Sequence, residues 1–498
     1  MHTGNQRVER AAIQFANFIL VAAGLVCVAA LSKVFYHYQW ICDRQFAGPV
    51  GRSLYYGLPA LLAVLFFASL RLRDDRKIKV AIVSTALASW LVVAEIFFES
   101  LQYMADNWPF EITEETGPKR ANIAERQGVS FDRRTRLQVI ADLREQGVDA
   151  VPASNPPIFH SKNIDGTSTW NVTWAGHQLY PLGGIAKKTT VFCNENGTYT
   201  IYNSDEHGFH NPSGIWSRRP IDVVAIGDSF THGACVPSDR NFVALIRKSH
   251  PGTLNLGVWA NGPLSELATL IEYVPALRPK FILWFYFEGN DVTDIAEEKT
   301  NTVLMQYLQN DFSQHLVSRQ SEIDLKIKEI LYRLAAEAAV SERGPAMKLV
   351  DSLMNIGTLA AIRQKLGLIY GKSSQSQTES PSALDPELQA LFRRILFRAK
   401  NIVDRWHGTL YFVYLPDWAR YAHPERAVKN RAAVLQMVRS LGIPIIDLSP
   451  VFQIRRDPLS LFPFRGFGHY NEAGHALVAE TILASIVPPS PAISDSVD

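Results

Sequence analysis

Residues Asp222–Phe230 read DVVAIGDSF, a short apolar run that ends in glycine, aspartate and serine. An uninterrupted apolar run bounded by a glycine turn is the pattern of a strand buried on both faces. A serine set directly after such a strand, with a helix behind it, exposes its hydroxyl at the carboxyl edge of a sheet. There it stands beside the N–H groups that open the helix. Gly-Asp-Ser also makes ordinary turns, so the surrounding sequence has to decide.

Outward from this point the chain alternates strand and helix. Asp239 to Ser249 reads as a helix and Thr253 to Leu256 as a strand. Leu264 to Leu277 carries Leu264, Leu267, Leu270, Ile271 and Val274 on one helical face, and Phe281 to Phe287 is a continuous apolar run too short for a helix. Two further strands, Leu410 to Leu415 and Pro444 to Asp447, flank a helix near Ala427 to Leu441. Strictly alternating elements imply a parallel sheet with helices on both faces, whose active site lies beyond the carboxyl ends of the strands. A helical insertion over about residues 300–400 separates the third and fourth strands, and its Ser/Gln-rich stretch Gly371 to Ala383 reads as a flexible loop.

The other strand ends carry polar chemistry. Asn255-Leu256-Gly257 closes the second strand, and Gly289-Asn290-Asp291 closes the third. The N–H groups of Ser229 and Gly257 and the side-chain amide of Asn290 would supply three oxyanion donors. The candidate base is His469, in a loop just before the last helix. His475 falls within that helix and reads as structural. His232, three residues after the serine, is an alternative base that the sharp turn points away.

Gly227-Asp228-Ser229-Phe230, Gly257, Asn290 and the late His469-x-Asn471-x-x-Gly474, in this order, resemble the SGNH (GDSL-type) hydrolase superfamily. The resemblance covers about residues 220–487. It implies a flavodoxin-like α/β/α sandwich that hydrolyses or transfers an ester-linked acyl group, with Ser229 as nucleophile, His469 as base and no metal or organic cofactor. Two positions depart from the family pattern. Gly466 stands three residues before the histidine, where the family has aspartate. Glu288 stands where the family has the glycine of Gly-x-Asn-Asp. Either a Ser229–His469 dyad operates, or another acid such as Asp457 replaces the missing one.

The chain is 498 residues long, more than one compact core accommodates. Its 50 Lys and Arg nearly balance 48 Asp and Glu, so no global positive field marks a nucleic-acid binder. Residues 1–105 read as a membrane domain. Ala11 to Ser32 and Ser53 to Leu70 hold no charged side chain, and Ile78 to Phe98 is a third, weaker span interrupted by Lys79 and Glu95. Arg7, Arg10 and five cations between Arg71 and Lys79 belong on the cytoplasmic side. Three spans would then place everything after about residue 105 outside the cytoplasmic membrane, in the periplasm if the cell is Gram-negative.

A polar, Pro-rich connector, 106–219, leads to the hydrolase-like domain at 220–489, and 490–498 form a tail. Within the connector, Asp132 could cap a short helix that ends at Gly147. Asn194-Glu195-Asn196-Gly197 separates two β-prone runs, Thr189 to Cys193 and Thr198 to Tyr202, as a hairpin does. Cys193 and Cys235 both fall on the outer side, where an oxidising compartment favours a disulfide.

Three functions fit this reading. One is a membrane-embedded esterase that removes acyl groups from a glycan or lipid. Another is an O-acyltransferase acting on a polysaccharide hydroxyl, which would need a membrane partner as acyl donor. The third is a glycan-binding protein that has lost its triad.

Overall fold

The computed structural model describes residues 2–36, 57–107, 117–162, 168–309, 311–341, 385–424 and 430–486. The chain divides into two compact units. One comprises Met1–Glu111, Lys162–Thr169 and Glu337–Ser374; the other comprises Ile112–Ser161, Trp170–Ala336 and Gln375–Asp498.

The first unit holds helices α1 (His2–Tyr36), α2 (Leu58–Ser69) and α3 (Asp74–Asn107). Ala16 and Leu20 of α1 pack with Ala81 of α3 and with Phe66 of α2. Among the described helices only Gln6–Ala29, within α1, is long and apolar enough to cross a bilayer; by length and composition it fits an anchor or a signal sequence. The expected three spans and the multi-pass topology are therefore not supported. Helix α2 has 12 described residues, about 18 Å at 1.5 Å per residue. That is short of a hydrocarbon core about 30 Å thick. In α3, Lys79 and Glu95 enclose only 15 uncharged residues. Five of the cations that set the expected orientation lie in residues 71–79, which flank no candidate span, so that part of its basis is lost.

The second unit begins with the connector, which contains α4 (Gly117–Arg126), α5 (Arg136–Glu145), and strands β1 (Ala150–Pro152), β2 (Thr189–Val191) and β3 (Ile201–Asn203). Thr135, not Asp132, caps α5: its hydroxyl accepts the Gln138 N–H while Gln138 reaches back to the Thr135 N–H. Asp132 instead binds the Arg134 guanidinium. Strand β2 pairs parallel with β1 and antiparallel with β3, Thr190 facing Tyr202. The Asn194–Gly197 stretch therefore lies in a longer loop between the two hairpin strands.

The central sheet consists of β4 (Val223–Ile226), β5 (Thr253–Asn255), β6 (Phe281–Phe287), β7 (Thr409–Leu415) and β8 (Ile445–Asp447). All its pairings are parallel, in the order β8-β7-β6-β4-β5. This is the flavodoxin-like order 2-1-3-4-5. Successive side chains along a strand point to opposite faces, and the two cores follow that period. Val224, Ile226, Ile282, Trp284, Phe412 and Tyr414 enter one; Val223, Ala225, Leu283, Phe285 and Val413 enter the other.

The first core is closed by α8 (Pro263–Tyr273), α9 (Asp291–Glu298), α10 (Gln320–Ser341), α11 (Pro386–Asp404) and α12 (Arg431–Ser440). The second is closed by α7 (Phe242–Ser249) and α13 (Glu472–Ile486), and Phe230 of the short helix α6 (Ser229–His232) enters it. Helices α10 and α11 belong to the insertion, and Ile323, Ile327, Phe392 and Ile395 join the first core. The insertion is thus partly a wall of the sandwich. The stretch from Gly371 to Ala383 and the 490–498 tail lie outside the described residues.

Candidate active site

Strand β4 delivers the chain to Ser229, the first residue of α6. Asp228 caps the helix, its Oδ1 accepting the Phe230 N–H at 2.9 Å. That cap fixes the serine at the carboxyl edge of the sheet, where its Oγ lies 2.8 Å from His469 Nε2. His469 hangs between Phe467 and the last helix. The ring of Phe230 packs on it at 4.9 Å, and the neighbouring Tyr470 donates its hydroxyl to the Pro416 carbonyl beyond β7.

The acid comes from a place that sequence reasoning missed. Glu195, in the connector loop, accepts the His469 backbone N–H on Oε2 at 2.8 Å, and its Oε1 stands 3.1 Å from His469 Nδ1. The Nδ1 contact has ion-pair distance without the alignment of a hydrogen bond. A carboxylate beside Nδ1 favours the proton there, which leaves Nε2 as the acceptor for the Ser229 hydroxyl. Arg120 of α4 completes the arrangement: Nη1 pairs with Glu195 Oε1 at 2.9 Å and Nη2 donates to the Phe467 carbonyl at 2.9 Å. Gly468 has φ 153°, and a Cβ there would lie 2.6 Å from Glu195 Oε2 and 3.0 Å from Arg120 Nη2. The loop needs glycine at that point.

The electrostatics follow from these contacts. Burial pushes the Glu195 carboxyl up, but the charges and contacts of His469 and Arg120 outweigh it and bring its pKa to about 2. Burial pushes the His469 imidazolium down; the Glu195 contact, assisted by Asp228, overcomes this and raises its pKa above the usual histidine value. Asp457 does not take part. It is paired with Arg465, which donates to it through both terminal nitrogens. Gly466 supplies no carboxylate, and the acid enters from the connector side instead.

His232 and His475 are both committed elsewhere. The Trp259 N–H donates to His232 Nδ1 at 3.2 Å while Nε2 meets the Tyr202 hydroxyl at 2.8 Å. Phe242 N–H donates to Nδ1 of the fully buried His475.

The oxyanion donors sort differently from expectation. Gly257 N–H donates to Asn255 Oδ1 at 2.9 Å, and a Cβ on Gly257 would lie 2.5 Å from the His232 nitrogen. That glycine therefore lets the β5 end pack against α6. The neighbouring N–H groups of residues 255, 256, 258, 259, 261 and 262 also have acceptors. Among the described residues, the Ala260 N–H in this loop makes no hydrogen bond, and Ala260 holds a left-handed φ of 63°. Ser229 N–H likewise has no acceptor, and Asn290 Nδ2, at the start of α9, has none.

Glu288, the residue after β6, is clamped on both oxygens. Its carboxylate accepts from Arg420 Nε and Nη2, the Tyr414 hydroxyl and the Asp417 N–H. Glu266, Asp291 and Glu298 are buried acids. Glu298 accepts three N–H groups at the start of α8, from Gly262, Leu264 and Ser265. Glu266 is wholly buried with no hydrogen-bond partner on either oxygen, and burial pushes it and Asp291 well above the carboxylate range, Asp228 adding to both.

Cys193 and Cys235 are joined by a disulfide with Cα atoms 5.0 Å apart.

No family model matches the sequence, and the search of curated proteins returns no match. Solved structures similar to this chain include a lipolytic protein of the G-D-S-L family from Desulfitobacterium hafniense, 14% identical over 53% of this chain and 97% of that one, TM-score 0.28. A lipase/acylhydrolase from Enterococcus faecalis is 12% identical over 54% and 99%, TM-score 0.29. A two-domain esterase active on acetylated mannans is 12% identical over 57% and 53%, TM-score 0.27.

Proposed function

We propose that the chain is a serine esterase that works outside the cytoplasm and removes ester-linked acyl groups from a glycan or lipid. The observation that carries this reading is the continuous relay Ser229 Oγ–His469 Nε2 and His469 Nδ1–Glu195, at 2.8 and 3.1 Å. A side chain at each relay position, in the order nucleophile, base, acid, is what acyl transfer through serine requires.

In the first half-reaction His469 Nε2 takes the Ser229 proton as Oγ bonds to the ester carbonyl carbon. Negative charge develops on the carbonyl oxygen, and the Ser229 N–H, the Ala260 N–H and the Asn290 amide are the donors left unused to receive it. The imidazolium, stabilised by Glu195, returns the proton to the leaving alkoxide and an acyl-serine remains. In the second half His469 Nε2 takes a proton from a water whose oxygen bonds to the acyl carbon; the imidazolium returns that proton to Ser229 Oγ as the acyl–Oγ bond breaks, which releases the carboxylic acid and restores Ser229.

The missing triad acid favoured a non-catalytic binding protein; Glu195 beside His469 Nδ1 supports the esterase reading instead. The disulfide and the apolar helix in α1 support placement beyond the cytoplasmic membrane. A fluorophosphonate probe tests the reading: it should label the full chain at Ser229, and Ser229→Ala should not be labelled. A folded wild type that resists the probe at every concentration overturns it.

A further inference from the structure

Arg120 and the His469 N–H hold the Glu195 carboxylate; the loop that carries it, between β2 and β3, needs anchors of its own. Four contacts join residues 192–200 to the segment that follows the nucleophile. Cys193 is bonded to Cys235. Asn196 Nδ2 donates to the Cys235 carbonyl at 2.8 Å, and the Thr200 hydroxyl donates to the Val236 carbonyl at 2.9 Å. Phe192 stacks on His232 at 4.4 Å. The segment they grip is itself stiff, because the Ser229 carbonyl accepts the Ala234 N–H at 3.0 Å and Cys235 holds a left-handed φ of 59°.

Only one of the four contacts is covalent, and one of its sulfurs lies close to the relay. Cys235 Sγ, a Glu195 carboxylate oxygen and a His469 ring nitrogen all lie within 4.8 Å of one another. The bond thus starts two residues before the acid and ends six residues after the nucleophile.

We infer that the Cys193–Cys235 disulfide is a positioning device for catalysis, which fixes the Glu195 carboxylate against His469 Nδ1 and so sets the basicity of the imidazole. The inference rests on the esterase reading and adds to it a residue pair that touches neither substrate nor reacting atoms. A bond serving stability alone would act on the unfolded chain by closing its 42-residue loop and leave the relay's chemistry unchanged. A positioning bond acts on the folded enzyme. Displacement of a relay carboxylate by about 1 Å is enough to lower turnover by about 10-fold or more.

The test compares full-length wild type with the Cys193→Ala/Cys235→Ala variant, each alone and combined with Glu195→Gln, using a chromogenic acyl ester. The double-alanine variant should lose about 10-fold in kcat with little change in KM. Its acid limb in kcat/KM should move to lower pH, because burial of the imidazole is then less opposed by Glu195. In the Glu195→Gln background the same cysteine changes should cost little more. An unaltered pH limb, or a loss that multiplies fully with that of Glu195→Gln, overturns the inference.

If the variant does not fold, wild type treated with a trialkylphosphine serves. One phosphine and one water give the phosphine oxide and two thiols, and the same shift should appear and reverse on reoxidation. A phosphine-treated enzyme with both thiols free, full kcat and an unmoved limb is the overturning result in that arm. Fluorophosphonate labelling of oxidised wild type runs alongside. Failure there rejects the esterase reading, whereas labelling and turnover that ignore the bond reject only the positioning role.

Discussion

Glu195 and His469, 274 residues apart in sequence, meet through two contacts at once: the backbone N–H of the histidine on one carboxylate oxygen, and the ring Nδ1 beside the other. The first contact fixes where the loop lies and the second fixes what the ring does. A carboxylate that held only the ring would leave the loop free to turn, and one that held only the backbone would leave the tautomer open.

Glu195→Gln keeps the shape and removes the charge. We expect kcat to fall by about 10²–10⁴-fold, with KM little changed, because the imidazolium formed in each half-reaction loses its counter-charge. The acid limb should move to lower pH, since Glu195 is what holds the His469 pKa above its usual value. Asp457→Asn should stay within about 2-fold of wild type, its carboxylate being committed to Arg465 at the surface. Steady-state kinetics across pH measure all three.

The donors of the oxyanion site separate by substitution. Asn290→Ala should lower kcat by about 10²–10³-fold, as removal of a transition-state donor does. Gly257→Ala keeps its N–H yet brings a Cβ onto the His232 nitrogen, so its main effect should be a loss of about 1–3 kcal/mol in denaturant unfolding. Ala260→Gly keeps the N–H and relieves the left-handed backbone; it should gain up to about 1 kcal/mol while kcat holds.

Removing Arg420 strands the Glu288 carboxylate, whose side chain is 1% exposed. Arg420→Ala should destabilise the fold by about 3–5 kcal/mol, read from unfolding curves, because a buried charge loses its partner.

The buried acids give a pH dependence of opposite sign from that of Glu195. For Glu266 the folded pKa is raised, so between the unfolded carboxylate value and the folded one the native state binds the extra proton and stability falls as pH rises. Glu266→Gln cannot titrate. Its stability relative to wild type should therefore climb as pH rises from about 4.5 through neutrality, read as the difference in melting temperature across buffers. For Glu195 the folded pKa is lowered to about 2, so its contribution is present above the unfolded value and is lost as pH falls towards 2.

The sheet was legible because its signals are local. VVAI, FILWFYF and the 409–415 run are apolar on both faces, which only a strand buried between helical layers needs to be. The meeting of Ser229 and His469 has the same origin: each lies at the end of an element whose boundary the sequence marks. Glu195 was not legible. It sits between two asparagines in a loop, and nothing in Asn194–Gly197 distinguishes a carboxylate that meets a distant histidine from a turn residue. Cys193, two positions earlier and paired with a cysteine beside the nucleophile, was the nearest hint. Gly257 misled because a glycine after a strand serves close packing as readily as anion binding. The outermost helices misled through window length, since two runs that lack charge over 15–18 residues satisfy the pattern without the reach.

The fold and the candidate site in this chain have different borders. A fragment cut at Pro220 would retain the whole five-stranded sheet, the serine and the histidine. It would lack Glu195, Arg120 and one end of the disulfide. Such a piece could be a well-formed sandwich and still be a poor catalyst. In expression trials, chimeras or truncation series, the smallest piece to carry forward starts upstream of α4, and an inactive shorter piece says nothing against the serine.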